Sequence, residues 1–571
     1  MVRHKQCQKD PIRQCSFPSR NRFRQMQFLA FLLCQIICLL STIYCSTEVS
    51  SFAIAYCVPA QVASVLSTRT PNTGCGWVAP RQASTNRLYA TSSESPPHAQ
   101  TAAVVKQPFP LTESRKKAFP LQTPHSGRHF RPSHPYYSHR QKRWTHRLSR
   151  QLSKLRSRPK RFMEGWYYRL TLTEENVSFA FIVSIEDPEQ DSSPHRLACI
   201  QVVGPDDEYL VQADADDTKF WAWKYQQGLG YIFDYKNKTE SDCVLDRSST
   251  ALSKEDWQHH VESGFQILPL HLMGQIKGHD GSQGGVMKGQ GIPGECSFDM
   301  SVDPVAGWGD ADPGVTQKST GGWLASFAVF EPHWQVTMAD GRATGTVQWK
   351  NRTYNFKNMP FYAEKNWGKA LPSKWYWTQC NSFDGYTNPG NELSVTAGGG
   401  IRQVPFGQQE SLGMVSVHYQ GKFYEAVPWT GTMKWQVSQW GYWNLYGKCT
   451  EGERKFEVNI TYTVDPRETP GLVFRAPTPN EGMVYFCRDT FDANVTLSLW
   501  ELDWDEQAQD YIRTANKPPL IDQATSTQGG AEVGGGPWWD DWNNDSQLKR
   551  SFKFMLQLPY KVRNLVRRNN L

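Results

Sequence analysis

The chain has 571 residues, 22 tryptophans and a formal net charge of +7. The charge is segregated: residues 1–160 hold 25 Lys/Arg against four acids, residues 547–571 hold seven Lys/Arg and no acid, and residues 161–546 hold 30 basic against 51 acidic groups. An acidic body gives no electrostatic support to nucleic-acid binding, and 13 cysteines without a C-x-x-C pair in the body form neither a zinc pattern nor a dense disulfide framework.

The N-terminal stretch reads as an address. Met26 to Tyr44 is an uncharged apolar run behind Arg20, Arg22 and Arg24. That is the layout of a signal peptide, with a retained anchor as the alternative. Residues 46–160 are rich in Ser, Thr, Pro and Arg and nearly devoid of acids, a transit-peptide composition. The two together resemble the bipartite leader of algae whose plastid lies inside an endomembrane, and SSFAIA with Phe52 resembles the aromatic cleavage motif of such leaders. The expectation is a signal peptide over 1–45 and a plastid transit segment with a disordered linker over 46–158.

From Trp166 onward two-residue periodicity dominates. In WYYRLTL, Trp166, Tyr168, Leu170 and Leu172 share one face, and 178–185 and 198–204 are further runs. WQVTMADGRATGTVQW places two alternating runs around Asp340-Gly341, which predicts a hairpin turn there. More strands are expected at 373–380, 392–397, 413–419, 422–427, 432–437, 455–463 and 494–502, and no long segment of 161–546 keeps a 3.6-residue stripe. The fold class is therefore all-β. Strands with one apolar face must close or pair to hide their edges, so two linked antiparallel β-barrel or sandwich units with few helices are expected, over 159–340 and 341–546.

Residues 277–295 and 506–530 read as inserted loops by their Gly, Pro and Gln content. Gly534-Gly535-Gly536 suggests close backbone packing or a bulge. The 547–571 tail alternates basic and apolar residues, either an amphipathic segment for an anionic membrane surface or a solvated extension.

Between Ala328 and Asn381 aromatic rings crowd a few ionisable groups: Trp334, Trp349, Trp367, Trp375 and Trp377 lie close to His333, Tyr362, Glu364 and Lys365. A carboxyl enclosed by aromatic walls is biased toward its protonated form. A neutral acid beside electron-rich ring faces is suited to protonating an alkene and holding the resulting cation.

The blocks EGWYYRLTL, FAFIVSIEDP, VVGPDDEYLVQ, EPHWQVTMADGRATGTVQW, FYAEKNWG, KWYWTQCNSF, FRAPTPNEG, CRDTF and AEVGGGPWW resemble those of plant and algal tocopherol cyclases, in consistent order from about Phe162 to Trp542. The resemblance implies cyclisation of phytyl-benzoquinols to chromanols (γ- and δ-tocopherol) in vitamin E biosynthesis, in plastids, with no cofactor and no metal. It also implies peripheral contact with inner-envelope, thylakoid or plastoglobule lipid. The YAEKNWG block further resembles the tyrosine-x-acid-x-asparagine-x-glycine stretch of carotenoid hydratases, whose paired barrels imply two lipocalin-like units here.

On this basis Glu364 is the first candidate acid, with Tyr362 on the same strand face; the alternative is a structural pair with Lys365 or Arg342. Asp489 is the second, with a salt bridge to Arg475 or Arg488 as its alternative. Glu164 is the third, against a bond to Arg169 or a strand-end donor. His333 is a candidate to orient the quinol hydroxyl or take its proton, or else a hydrogen-bonded core residue. Trp334, Trp367, Trp375 and Trp377 are candidate cation stabilisers, and Asn366 and Gln379 candidate partners of the second hydroxyl. Two other functions fit the same cavity: a lipocalin-like prenylquinol or carotenoid carrier, which needs no buried acid, and an alkene hydratase, which makes a tertiary alcohol. Hydrolase and zinc-enzyme functions lack G-x-S-x-G and H-E-x-x-H.

Overall fold

A computed structural model describes residues 161–188, 193–222, 227–236, 251–278, 294–311, 318–322, 332–386, 391–404, 408–536 and 539–546, with 548, 553 and 557. The expected signal and transit segments, most of the expected 277–295 loop and most of the basic tail lie outside the described residues.

Eleven strands form the first antiparallel sheet. They are β1 (Met163–Leu172), β2 (Val177–Glu186), β3 (Leu197–Val203), β4 (Tyr209–Asp214), β5 (Trp221–Ala222) and β6 (Leu229–Tyr235), then β7 (Val261–Leu268), β8 (His271–Gly278), β9 (Gly294–Ala306), β10 (His333–Trp349) and β11 (Arg352–Gly368). The spatial order β4-β3-β2-β1-β11-β10-β9-β8-β7-β6-β5 is a meander whose first and last strands pair. One short α-helix, α1 (Lys254–His260), precedes β7 and is capped by the Ser253 hydroxyl, which accepts from the Asp256 N–H.

The second sheet begins with β12 (Trp375–Cys380), β13 (Leu393–Val404), β14 (Gln408–Tyr419), β15 (Lys422–Ala426), β16 (Thr432–Val437) and β17 (Tyr442–Glu451). It continues with β18 (Arg454–Thr463), β19 (Leu472–Thr478), β20 (Gly482–Asp505), β21 (Asp510–Ile512), β22 (Ile521–Gly534) and β23 (Trp542–Asp545). Here β12 pairs with β22, and β19 and β21 both pair with β20. The all-β class is as expected, in two large curled antiparallel sheets.

Each sheet wraps an apolar core of its own. A third cluster joins them, with Tyr167, Val336 and Tyr362 from the first sheet against Trp375, Trp377, Phe474 and Phe491 from the second. Strands β1 and β2 and the second half of β11 (360–368) are therefore buried on both faces, whereas the first half of β11 alternates buried and exposed residues.

Three expectations are corrected. The Asp340-Gly341 pair makes no turn: β10 runs unbroken to Trp349, and the chain reverses at Lys350-Asn351, where Lys350 takes φ 52°. Asp340-Gly341 is instead a bulge, where the registers with both neighbouring strands slip. The buried Asp340 carboxylate there accepts from Arg342 and from Asn381 Nδ2. Secondly, the passage between sheets lies at 369–374, so a boundary at 340/341 falls inside β10. Thirdly, much of 506–530 is strand, because β22 turns small or neutral residues (Ile521, Ala524, Ser526, Gln528) inward and leaves polar ones outside.

Candidate active site

Side chains alternate along β11. Tyr362, Glu364 and Asn366 point toward the second sheet, while Phe361, Ala363, Lys365 and Trp367 point into the first. The first group meets a cavity of ≈ 250 Å³ between the sheets, walled by Ile182, His333, Trp334, Leu371, Trp375, Trp377, Met414 and Phe474 among others, with Glu364 and Asn366 on its lining.

Glu364 is 7% exposed, and its carboxyl accepts four hydrogen bonds. Oε2 takes the Tyr362 hydroxyl at 2.6 Å, Trp334 Nε1 at 2.7 Å and Trp377 Nε1 at 2.9 Å. Oε1 takes only Asn366 Nδ2, at 3.0 Å. Burial pushes the carboxyl above its ordinary range, and the four donors pull the other way by favouring the carboxylate. Indole N–H groups only donate, so Oε2 is occupied as an acceptor. The proton of the neutral acid then belongs on Oε1, where an Asn366 amide turned end for end presents its oxygen. Burial in such an arrangement favours a neutral acid, and the donors favour the anion left if the proton is given up.

The donors need close backbone approaches. The Trp334 indole lies on β13 at Gly398, where a Cβ would stand 3.2 Å from its ring. Trp375 covers Gly534 of β22, so the glycine triplet does provide close packing, of a ring on backbone. A neighbouring acid, Glu532 on β22, also lines the cavity. It accepts from Trp375 Nε1 and bonds the Cys487 thiol. Burial pushes it up to about 7. Sequence reasoning passed over Glu532; its signal was a lone acid inside the apolar, glycine-rich run GGAEVGGG.

The other candidates divide. His333 is on the wall and stacks on Trp367, with ring centroids 4.9 Å apart. Trp334, Trp375, Trp377 and Asn366 line the cavity as expected. Trp367 does not: its parity along β11 puts it on the opposite face with Lys365. Gln379 lies outside the lining, its Oε1 accepting from Arg169 Nη1 at 2.7 Å. Neither structural partner considered for Glu364 reaches it, since Lys365 pairs with Glu164 and Arg342 with Asp340. Glu164 is thus half of a buried ion pair and is not itself part of the lining, although Met163 and Gly165 on either side of it are. Asp489 is 1% exposed and stands opposite Glu532 across β20 and β22. Neither arginine considered for it is its partner: Arg488 donates to the Pro470 carbonyl, and Arg475 lies over Tyr485. Burial and the nearby Glu532 carboxyl push Asp489 well up.

The tocopherol cyclase-like family model matches residues 160–535. A chloroplastic tocopherol cyclase of Zea mays is 33% identical over 535 residues, covering 88% of this chain and 97% of its own length. A probable chloroplastic tocopherol cyclase of Oryza sativa subsp. japonica is 35% identical over 434 residues, covering 74% of this chain and 80% of its own. Among solved structures, kievitone hydratase from Nectria haematococca aligns with a TM-score of 0.32 at 12% identity, over 66% of this chain and 90% of its own, a likeness too low to bear on function.

Proposed function

The chain belongs to the tocopherol cyclase-like family, and from that premise we propose that it closes a chromanol ring on a phytyl-benzoquinol with Glu364 as the acid. Its activity is that of a tocopherol cyclase, an enzyme acting on a prenylquinol in the plastid. The observation that carries the role of Glu364 is a buried carboxyl on an apolar cavity wall, with three donors on one oxygen and the second oxygen turned to a single amide.

The chemistry follows. An alkene is a weak base, so its acid must be protonated near neutral pH and still leave a stable anion. Burial meets the first need and the four donors the second. Proton transfer from Oε1 to the trisubstituted alkene nearest the ring leaves a tertiary cation. The indoles of Trp334, Trp375 and Trp377 border the space where it forms, and each desolvated ring contact is worth ~2 kcal/mol. The phenolic oxygen then closes the six-membered ring. Apolar walls exclude the water that would otherwise give an alcohol. His333 and Asn366 are placed to orient the quinol hydroxyls. The products are γ- and δ-tocopherol, the protein is imported by its bipartite leader, and it works against inner-envelope, thylakoid or plastoglobule lipid.

The test is incubation of the protein with reduced phytylquinol in D2O. Chromanol carrying deuterium on the side-chain carbon beside the new ether centre supports protonation followed by closure. A tertiary alcohol would mean a hydratase, and unchanged quinol a carrier.

A further inference from the structure

Proton donation by Glu364 leaves half of the proton balance unassigned, and the same cavity holds a second carboxyl. Glu532 on β22 stands opposite Trp377 on β12 and opposite Asp489 on β20, one cross-strand row on the face that meets the first sheet. Such partners lie roughly 5 Å apart at Cα, and two carboxyls at that spacing in an apolar setting hold one proton between them. Among the described residues no side chain donates to either oxygen of Asp489, whereas Glu532 takes the Trp375 N–H and the Cys487 thiol and lines the cavity. The negative charge therefore resides on Glu532, and the proton on Asp489.

We propose that Glu532 is the catalytic base that takes the phenolic proton as the ring closes, an inference that rests on the assignment of Glu364 as the acid. The balance is complete. The Glu364 O–H bond breaks as the new C–H bond forms, and the phenolic O–H breaks to Glu532 as the C–O bond forms. The proton on Glu532 returns to Glu364 before the next turnover. Substrate and product are isomers, and no co-reactant is consumed. The titratable and charged groups around the pair are Glu364 from β11, Tyr167 and Arg169 from β1, Cys487 from β20, and Asp207.

The full chain carrying Glu532→Gln tests this with two substrates in D2O. With free phytylquinol, kcat should fall about 10²-fold or more, and the acidic limb of its pH profile should vanish. With the corresponding aryl methyl ether, which has no phenolic proton to lose, deuterium uptake into the prenyl chain should stay within about threefold of wild type. Cyclisation within threefold of wild type with the limb intact overturns the proposal, as does equal loss of both reactions. Should Glu532→Gln fail to fold, Trp375→Phe should move the acidic limb to higher pH by deleting a donor to the Glu532 carboxylate, and an unmoved limb overturns the proposal. Wild-type protein taking up no deuterium from either substrate would overturn this assignment together with that of Glu364.

Discussion

Trp377 of the second sheet donates its indole N–H to Oε2 of Glu364 in the first, at 2.9 Å. The set of donors to this carboxyl is thus complete only where the two sheets meet. Tyr362, Asn366 and Trp334 come from the first sheet, so the first half of the body supplies the acid and three donors, and the second half supplies the fourth.

Glu364→Gln keeps size and hydrogen-bond capacity but removes the transferable proton. Chromanol formation should fall about 10³-fold, while the melting temperature and the affinity for the chromanol product stay close to wild type. Turnover near the wild-type rate would remove Glu364 from the chemistry.

Trp334→Phe deletes one donor to Oε2 and leaves an aromatic wall. Hydrogen bonds to charged groups are worth about 1.5–3 kcal/mol, so the Glu364 pKa, already raised by burial, should rise by roughly one unit or more. The basic limb of the kcat profile moves up by the same amount, and the rate at the optimum drops because the acid is weaker. Trp377→Phe should act in the same direction. A stationary limb in both variants would show that these N–H groups do not govern the carboxyl.

Gly398→Ala sets a methyl 3.2 Å from the Trp334 ring, close enough to displace the indole and lengthen its bond to Glu364. A fall of about tenfold in kcat with little change in Tm is expected. Gly534→Ala meets the Trp375 ring head-on and should cost about 1–3 kcal/mol of stability. Thermal melts of the two variants, set beside their rates, check the contrast.

Stability should respond to pH through the raised carboxyls. A group with a higher pKa folded than unfolded binds its proton more tightly in the native state. Its stabilisation is therefore complete below the unfolded value and is lost as pH rises through the folded one. For Glu532 the window runs from 4.5 to about 7. The Tm of Glu532→Gln relative to wild type should increase across that window and level off above it. A difference that ignores pH would mean that the carboxyl is not perturbed.

Lys365 and Glu164 form an ion pair with side chains 0% and 1% exposed, the lysine lying over the rings of Trp166 and Trp367. Glu164→Gln or Lys365→Met alone should cost about 3–5 kcal/mol, and the double variant less than the sum. Activity per folded molecule should be kept, which separates Glu164 from the catalytic acids.

Period-two alternation was enough to place Tyr362, Glu364 and Asn366 together, because strand parity survives twist and curvature. The same parity puts Trp367 with Lys365 on the far face, a consequence that counting from Glu364 would have given. Glu532 was hidden for another reason. Its neighbours Trp377 and Asp489 reach it only through long-range pairing, which no local pattern encodes. Asp340-Gly341 misled because a dipeptide suited to positive φ serves a bulge as readily as a turn. In 506–530, polar composition masked a strand whose inward residues are small or neutral.

Oε2 of Glu364 is pinned by three groups from three strands, so the carboxyl has one orientation and one oxygen left to act. With Glu364 as the proposed acid, a planar alkene bound in the cavity takes its proton on a single face and presents its cation carbon to the phenolic oxygen from a single side. The centre formed when the ring closes takes its handedness from the protein, and one epimer of the chromanol is the outcome that chiral separation should register.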